Sequence, residues 1–311
     1  MPETPDIILH HYPQSPVTEK VRVALGIKGL TWGSVIIPRL PPKPDLMALT
    51  GGYRLTPVMQ VGADIYCDTQ CILAALERQH PAPTLFPGGN RGLVRGMSRW
   101  TDGPFFKTVM ALVFGDQGEA LPADFARDRG TLYFGEACSI AALTEALPHT
   151  RAQVRAQFGW LEDQLADGRA FMEGDAPGLA DVLGYYLVWF VRGRYSRGPD
   201  FLAPFAKLLA WEARVKAIGH GTPVEMSSVD AIGVAAAGEP APAVAGDADD
   251  PQGLMPGQMV RVRPAAITGP CDTEGRVRSA AADEIVIERN DERAGRLAVH
   301  FPREGYHVTV L

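Results

Sequence analysis

Cysteine is scarce in this chain: there are four among 311 residues, Cys67, Cys71, Cys138 and Cys271. So few, so widely scattered, exclude a secreted disulfide scaffold and fit a reducing compartment, so a cytoplasmic location is expected. Cys67 and Cys71 lie four residues apart at a helix start, but no His/Cys group has zinc-finger spacing, and no metal is expected. Long apolar runs are also missing. No window holds the roughly 18 uninterrupted apolar residues of a membrane span, and the first residues show neither a basic start nor a leader-like apolar stretch. Positive charge is in deficit, with 30 Lys+Arg against 36 Asp+Glu and a net charge of −6, which disfavours a protein that coats nucleic acid or anionic membrane. Neither a glycine-rich phosphate loop nor a Gly-x-Ser-x-Gly elbow occurs.

With 46% hydrophobic and 21% charged residues, the composition is that of a globular chain long enough for about two domains. The first eighty residues alternate between two periods. Residues 7–12 form a short apolar run, and Val17, Val21 and Leu25 then recur at helical spacing behind Pro16, with Gly29 placed to stop the helix. Residues 32–37 read as a second strand, residues 56–61 and 63–67 as a hairpin about Gly62, and Asp68 opens a further helix. The order is βαβ followed by ββα. Beyond a Pro/Gly-rich connection at residues 80–89, helical spacing dominates, with helices expected over 93–114, 134–147, 150–164, 179–191 and 204–217.

Residues 228–254 fall to Ala, Gly, Pro and Asp and read as a linker. Asp230, Glu239, Asp247, Asp249 and Asp250 place nearly all of the excess negative charge there, so the net charge marks a tether and says little about substrate. Residues 255–311 then give five short, mostly alternating runs, expected to form a small antiparallel β-barrel domain. Its eight arginines are offset by eight acids and it has no lysine, so no nucleic-acid partner is expected.

Three short segments carry the chemistry. Ser15-Pro16-Val17-Thr18-Glu19-Lys20-Val21-Arg22 follows the first strand, and a serine at a helix start can stabilise a thiolate beside free N–H groups and the positive end of the helix dipole. Thr56-Pro57 heads the hairpin, where a proline removes a ladder donor. Asp68-Thr69 starts the next helix: the threonine hydroxyl and the helix N–H groups suit a carboxylate, and the aspartate suits an ammonium. Alone, the serine and the Asp-Thr pair are more simply explained as plain helix caps.

Together and in this order, these residues resemble the cytosolic glutathione transferase superfamily, with an N-terminal motif of the serine/cysteine, zeta- or omega-like type. The resemblance covers roughly residues 5–220 and implies a thioredoxin-like α/β glutathione-binding domain (5–82) and an all-helical domain (90–220). The linker (228–254) and the small all-β domain (255–311) are additions that most members lack. It implies that Ser15 contacts the glutathione sulfur, and that Thr56, at a cis-proline formed with Pro57, holds the cysteinyl backbone. Asp68 and Thr69 would hold the γ-glutamyl end, and Lys43 would lie near the glycyl carboxylate. Phe171 to Asp181 resembles the segment that starts a buried helix, giving Asp181 a structural role, although Gly178 stands where relatives carry a capping Ser or Thr. That change predicts a weaker helix start. Tyr12, Trp100, Phe105 and Phe106, with Met110, are the expected second-substrate residues, against the simpler reading of the aromatic stripe as core.

The implied activity is a glutathione S-transferase of the detoxification kind, in which glutathione as co-substrate attacks a small hydrophobic electrophile by conjugation, peroxide reduction or isomerisation within a homodimer. A non-catalytic binding or assembly module, with the C-terminal β domain as its working surface, is the alternative.

Overall fold

The computed structural model describes residues 5–311. Its elements fall into two compact units: residues up to Val21 with Leu30–Gln79 and Thr222–Leu311, and Arg22–Gly29 with His80–Gly221. The chain begins with β1 (Ile7–His11), α1 (Pro16–Ile27), β2 (Thr31–Ile36), α2 (Pro44–Thr50), β3 (Val58–Val61), β4 (Asp64–Cys67) and α3 (Thr69–Gln79). β1 is buried along its whole length, so Ile7-Ile8-Leu9 run without alternation and His10 and His11 are buried with them. β2 lies parallel to β1, β3 antiparallel to β1, and β4 antiparallel to β3. This is the thioredoxin-like arrangement.

The helical unit contains α4 (Arg91–Trp100), α5 (Phe106–Gln117), α6 (Ala123–Phe134), α7 (Ile140–Glu145), α8 (Leu147–Gln164), α9 (Leu179–Arg194), α10 (Gly198–Leu202) and α11 (Ala206–Ile218). The expected helix over 93–114 is interrupted at Thr101–Phe105, where Gly103 leaves helical geometry ahead of Pro104. A proline inside a helix lacks the N–H for the backbone bond and crowds the preceding turn. The expected helix over 134–147 is instead α6 ending at Phe134 and the short α7, with Gly135 at positive φ closing α6.

The last ninety residues depart most from the sequence reading. They form β5 (Thr222–Glu225), α12 (Ser228–Ala237), β6 (Met259–Pro264), β7 (Thr273–Ala280), β8 (Glu284–Asp291), β9 (Gly295–Pro302) and β10 (Tyr306–Val310). The β region is present as antiparallel strands, but β9 pairs in parallel with β4, giving one ten-stranded sheet in the order β10-β6-β7-β8-β9-β4-β3-β1-β2-β5. One apolar core runs through Ile8, Val35, Leu49, Val58 and Ile65 of the early elements and Val260, Val277, Ile287, Val299 and Phe301 of the late ones. Docking is close enough that a Cβ on Gly52 would fall 1.9 Å from the Asp272 carbonyl oxygen.

The expected tether is therefore structured in its first third. α12 buries Ala231, Ile232 and Ala235 in this core, and Gln60 donates to the Ala231 carbonyl at 2.8 Å. Alanine-rich composition reads as linker, yet Ala is also the best helix former and packs closely. Several of the segment's acids have local work: Asp230 bonds Ser227 at the helix cap, Glu239 lies 3.4 Å from Arg296, and Asp250 pairs with Arg303 at 2.8 Å.

The β4–β9 seam holds a buried polar cluster. His300 places Nε2 2.8 Å from Asp64 and Nδ1 3.2 Å from Glu284, and its ring stacks on Tyr66 at 4.3 Å. Burial alone would lower the imidazole pKa, but hydrogen bonds to Asp64 and Glu284 outweigh it and raise the pKa above 6.5. A raised folded-state pKa contributes stability that is fully present below about 6.5 and is lost as pH climbs through the folded value. Melting temperature is thus expected to fall as pH rises from 6 into the alkaline range. In His300→Gln the midpoint at pH 6 should be lower and that decline should flatten; an unchanged slope in calorimetric melts would remove His300 from the account.

Candidate functional site

Register places four expected site segments at one end of the sheet. His10 pairs with Val58 and Val58 with Cys67, so the end of β1, the start of β3 and the end of β4 lie side by side. His11 pairs with Ile36, which brings the exit of β2, and the loop carrying Lys43, to the same end. Thr56-Pro57 directly precedes β3 and Asp68-Thr69 directly follows β4, while Ser15 and Lys43 lie on the connections that leave β1 and β2.

Ser15 is buried at the start of α1, where its Oγ accepts from the Thr18 N–H at 3.1 Å. Its own N–H donates to the Tyr12 carbonyl at 3.2 Å, closing the turn out of β1. A hydroxyl has one proton and two lone pairs, so this capping bond leaves the Ser15 proton available to a ligand. Pro16 at the first helical position has no N–H to satisfy, which suits the turn.

The Thr56–Pro57 peptide is cis. Lys43, which the resemblance places near the glycyl carboxylate, is buried and donates to the Arg54 carbonyl at 3.0 Å and to Thr56 Oγ1 at 3.1 Å. It braces the segment entering β3.

Asp68 adopts φ +74°, the one non-glycine at positive φ among the described residues. Its Oδ1 accepts the Gln70 N–H at 2.9 Å and its Oδ2 accepts the Tyr306 hydroxyl at 3.0 Å. Thr69 Oγ1 accepts from Lys20 Nζ at 2.6 Å. Lys20 was not singled out from the sequence. Thr18-Glu19-Lys20 looks like a solvated stripe, whereas all three are buried, and only the fold shows that α1 turns them inward. Because Lys20 lies five residues after Ser15, this bond joins the starts of α1 and α3 directly. Tyr306 was missed for the same reason: nothing in a C-terminal strand signals contact with residue 68.

Among the second-substrate residues, Tyr12 is buried directly after β1, with the Arg39 guanidinium 5.9 Å from its ring. In the helical unit, Phe105 is fully buried, stacked on Trp100 at 5.0 Å and edge-on to Phe158 at 5.3 Å. Phe106 packs edge-on to Tyr133 at 5.4 Å, and Met110 is buried too. The stripe is helical core, with Trp100 at its margin donating to Gln157 at 2.9 Å.

Asp181 is completely buried and accepts from the Met172 N–H at 2.8 Å, the Gly178 N–H at 2.8 Å and Trp211 Nε1 at 2.7 Å. Burial pushes its pKa up, against these three bonds. The half of the capping box that Asp181 supplies is intact. Gly178 lacks the other half because a Cβ there would lie 2.5 Å from Pro87 Cδ and 2.9 Å from the Leu85 carbonyl oxygen. No group of three or more His, Cys, Asp or Glu suited to a metal ion occurs among the described residues, and no described helix is long and apolar enough to cross a membrane.

Family models for the glutathione S-transferase N-terminal and C-terminal domains match residues 9–84 and 126–214. A crystal structure of a GST-like protein from Pseudomonas syringae is 34% identical, with TM-score 0.82, and the match covers 99% of this chain and 100% of that one. The chain belongs to the glutathione S-transferase superfamily. The C-terminal strands are part of what it shares with the Pseudomonas protein. Two further members match less of it. A glutathione S-transferase from Rhodospirillum rubrum is 22% identical at TM-score 0.52, covering 68% of this chain and 88% of that one. A Ceriporiopsis subvermispora glutathione S-transferase, solved in complex with glutathione, is 17% identical at TM-score 0.56, covering 68% and 97%. These two show the common fold. No curated protein matches the chain.

Proposed function

We propose that the protein is a glutathione S-transferase that activates the glutathione thiol at Ser15. The observation that carries this reading is the 2.6 Å bond from Lys20 to Thr69, which ties the helix start bearing Ser15 to the one bearing Asp68 and Thr69. A ligand with an α-amino acid at one end and a thiol on its central residue suits that pair of helix starts. Its γ-glutamyl carboxylate meets Thr69 and the α3 N-terminus, its ammonium meets Asp68, and its cysteinyl backbone meets Thr56 beside Pro57.

Ser15 Oγ, held by the Thr18 N–H, donates a hydrogen bond to the sulfur, which lowers the thiol pKa so that its proton is lost to water and thiolate is available near neutral pH. The thiolate electron pair forms the new bond to a small hydrophobic electrophile. The leaving group departs with its own pair, or, in an addition, the electrophile takes up a proton. Tyr12 is the electrophile contact of this proposal, while Phe105 and Phe106 lie in the helical core. Serine at this position forms no mixed disulfide, which directs the chemistry to conjugation, peroxide reduction or isomerisation. A homodimer working in the cytoplasm completes the proposal.

Calorimetric titration with glutathione tests it. Saturable binding in the millimolar range or tighter is expected; no heat and no competition at several millimolar would overturn the enzyme reading and favour a binding or assembly module.

A further inference from the structure

We infer that the C-terminal strands complete the glutathione site, with Tyr306 as a positioning residue that holds Asp68 for the γ-glutamyl ammonium; this rests on the glutathione reading above. Parallel pairing of β9 with β4, which aligns His300 with Tyr66, carries β9 to the same sheet end as Asp68. The turn after β9 then returns the chain as β10, and Tyr306 at its first position reaches Asp68 Oδ2 at 3.0 Å.

Asp68 needs such support. A non-glycine residue at φ +74° is held in a sparsely populated conformation that costs about 1 kcal/mol or more and persists only where surroundings fix it. One carboxylate oxygen is fixed by the Gln70 N–H within α3, and Tyr306 fixes the other. A carboxylate offers about four lone-pair sites, so one carboxylate can serve an ammonium together with other donors.

Tyr306 is itself placed by packing. Its ring lies 5.7 Å from Phe301, and Phe301 lies 5.9 Å from Tyr53. A carboxylate only accepts, so Tyr306 gives its single proton to Asp68. Burial, and then the Asp68 charge, push both phenols well above their ordinary pKa, so both stay protonated donors.

The same strands brace α2, beside Lys43. Arg289 donates to the Ala48 carbonyl at 2.5 Å, Thr273 to the Thr50 carbonyl at 3.1 Å, and Arg293 pairs with Asp45 at 2.6 Å. Two of the segments around the proposed ligand are thus held from outside the thioredoxin-like region.

The test compares glutathione with its deamino analogue, in which the γ-glutamyl ammonium is replaced by hydrogen. Both are titrated into full-length wild type, Tyr306→Phe, Asp68→Asn and the double variant. Wild type should prefer glutathione. Tyr306→Phe, which keeps the ring, should weaken glutathione about 5- to 10-fold and leave the analogue within about twofold, and the double variant should be no weaker than Asp68→Asn alone. Equal losses for both ligands, an unchanged preference, or additive effects in the double variant would each overturn the positioning role while leaving the glutathione reading intact. Failure of wild type to bind glutathione overturns both. If Tyr306→Phe does not fold, loss of the preference in Asp68→Asn supports the ammonium contact, and its retention overturns the assignment.

Discussion

Replacing Ser15 with alanine is expected to lower kcat/KM for glutathione-dependent conjugation by about 10- to 100-fold, since a hydrogen bond to a charged group contributes roughly 1.5–3 kcal/mol. The pH at which half of the bound thiol ionises should rise by about 1–2 on the same energy. Ser15 also caps α1 through the Thr18 N–H, and losing that bond costs about 1 kcal/mol of stability. Ser15→Asp separates the two roles. Aspartate is a good cap, so stability is retained, but it places an acceptor-only negative charge beside the sulfur, and activity should fall below that of the alanine variant. Thiolate absorbance of the glutathione complex and initial rates with an aromatic halide provide the readout. If alanine leaves both unchanged, Ser15 is a cap and nothing more.

Ending the chain at Gly221 is expected to abolish cooperative folding of the thioredoxin-like unit, even though that cut retains both matched family domains. Ile65, Leu49, Tyr53 and Cys67 share their core with Val299, Phe301, Leu297 and Ile285. Uncovering three or four such side chains costs roughly 5–12 kcal/mol, comparable to a typical total stability of about 5–15. The cut also leaves the β4 edge unpaired and removes His300 from buried Asp64. Circular dichroism melts should show no sharp transition, and the shortened chain should aggregate. A soluble product with a single steep melt would show that the late strands only decorate the fold.

The βαβ-ββα order, the helical half and the late strands are legible because hydrophobic period and turn residues are local signals. Ser15, Thr56-Pro57 and Asp68-Thr69 are legible as a set because each lies at a strand end or helix start, where the motif is contiguous. What is not legible is long-range. Residues 228–254 show the composition of a tether, and only the groove that receives Ala231 and Ile232 makes α12 core. Phe105 and Phe106 have helical spacing that serves a pocket or a core equally, and packing against Phe158 and Tyr133 settles which. Gly178 reads as a lost cap, when its reason is the Leu85–Pro87 segment ninety residues earlier. Lys20 and Tyr306 matter through partners 49 and 238 positions away.

The pairing of β9 with β4 also sets an order of events in synthesis. Ile65 meets Val299 across more than 230 residues, with the whole helical unit between them. Contacts of such separation form slowly, because a long loop must close before they stabilise anything. While the ribosome is still making the helical unit, the first strands are already exposed with one sheet edge and part of one face open. That half-made sheet presents the aggregation hazard of an unpaired edge until the final strands emerge. Slowing translation near residue 221, or withdrawing chaperones, should therefore lower the yield of folded protein.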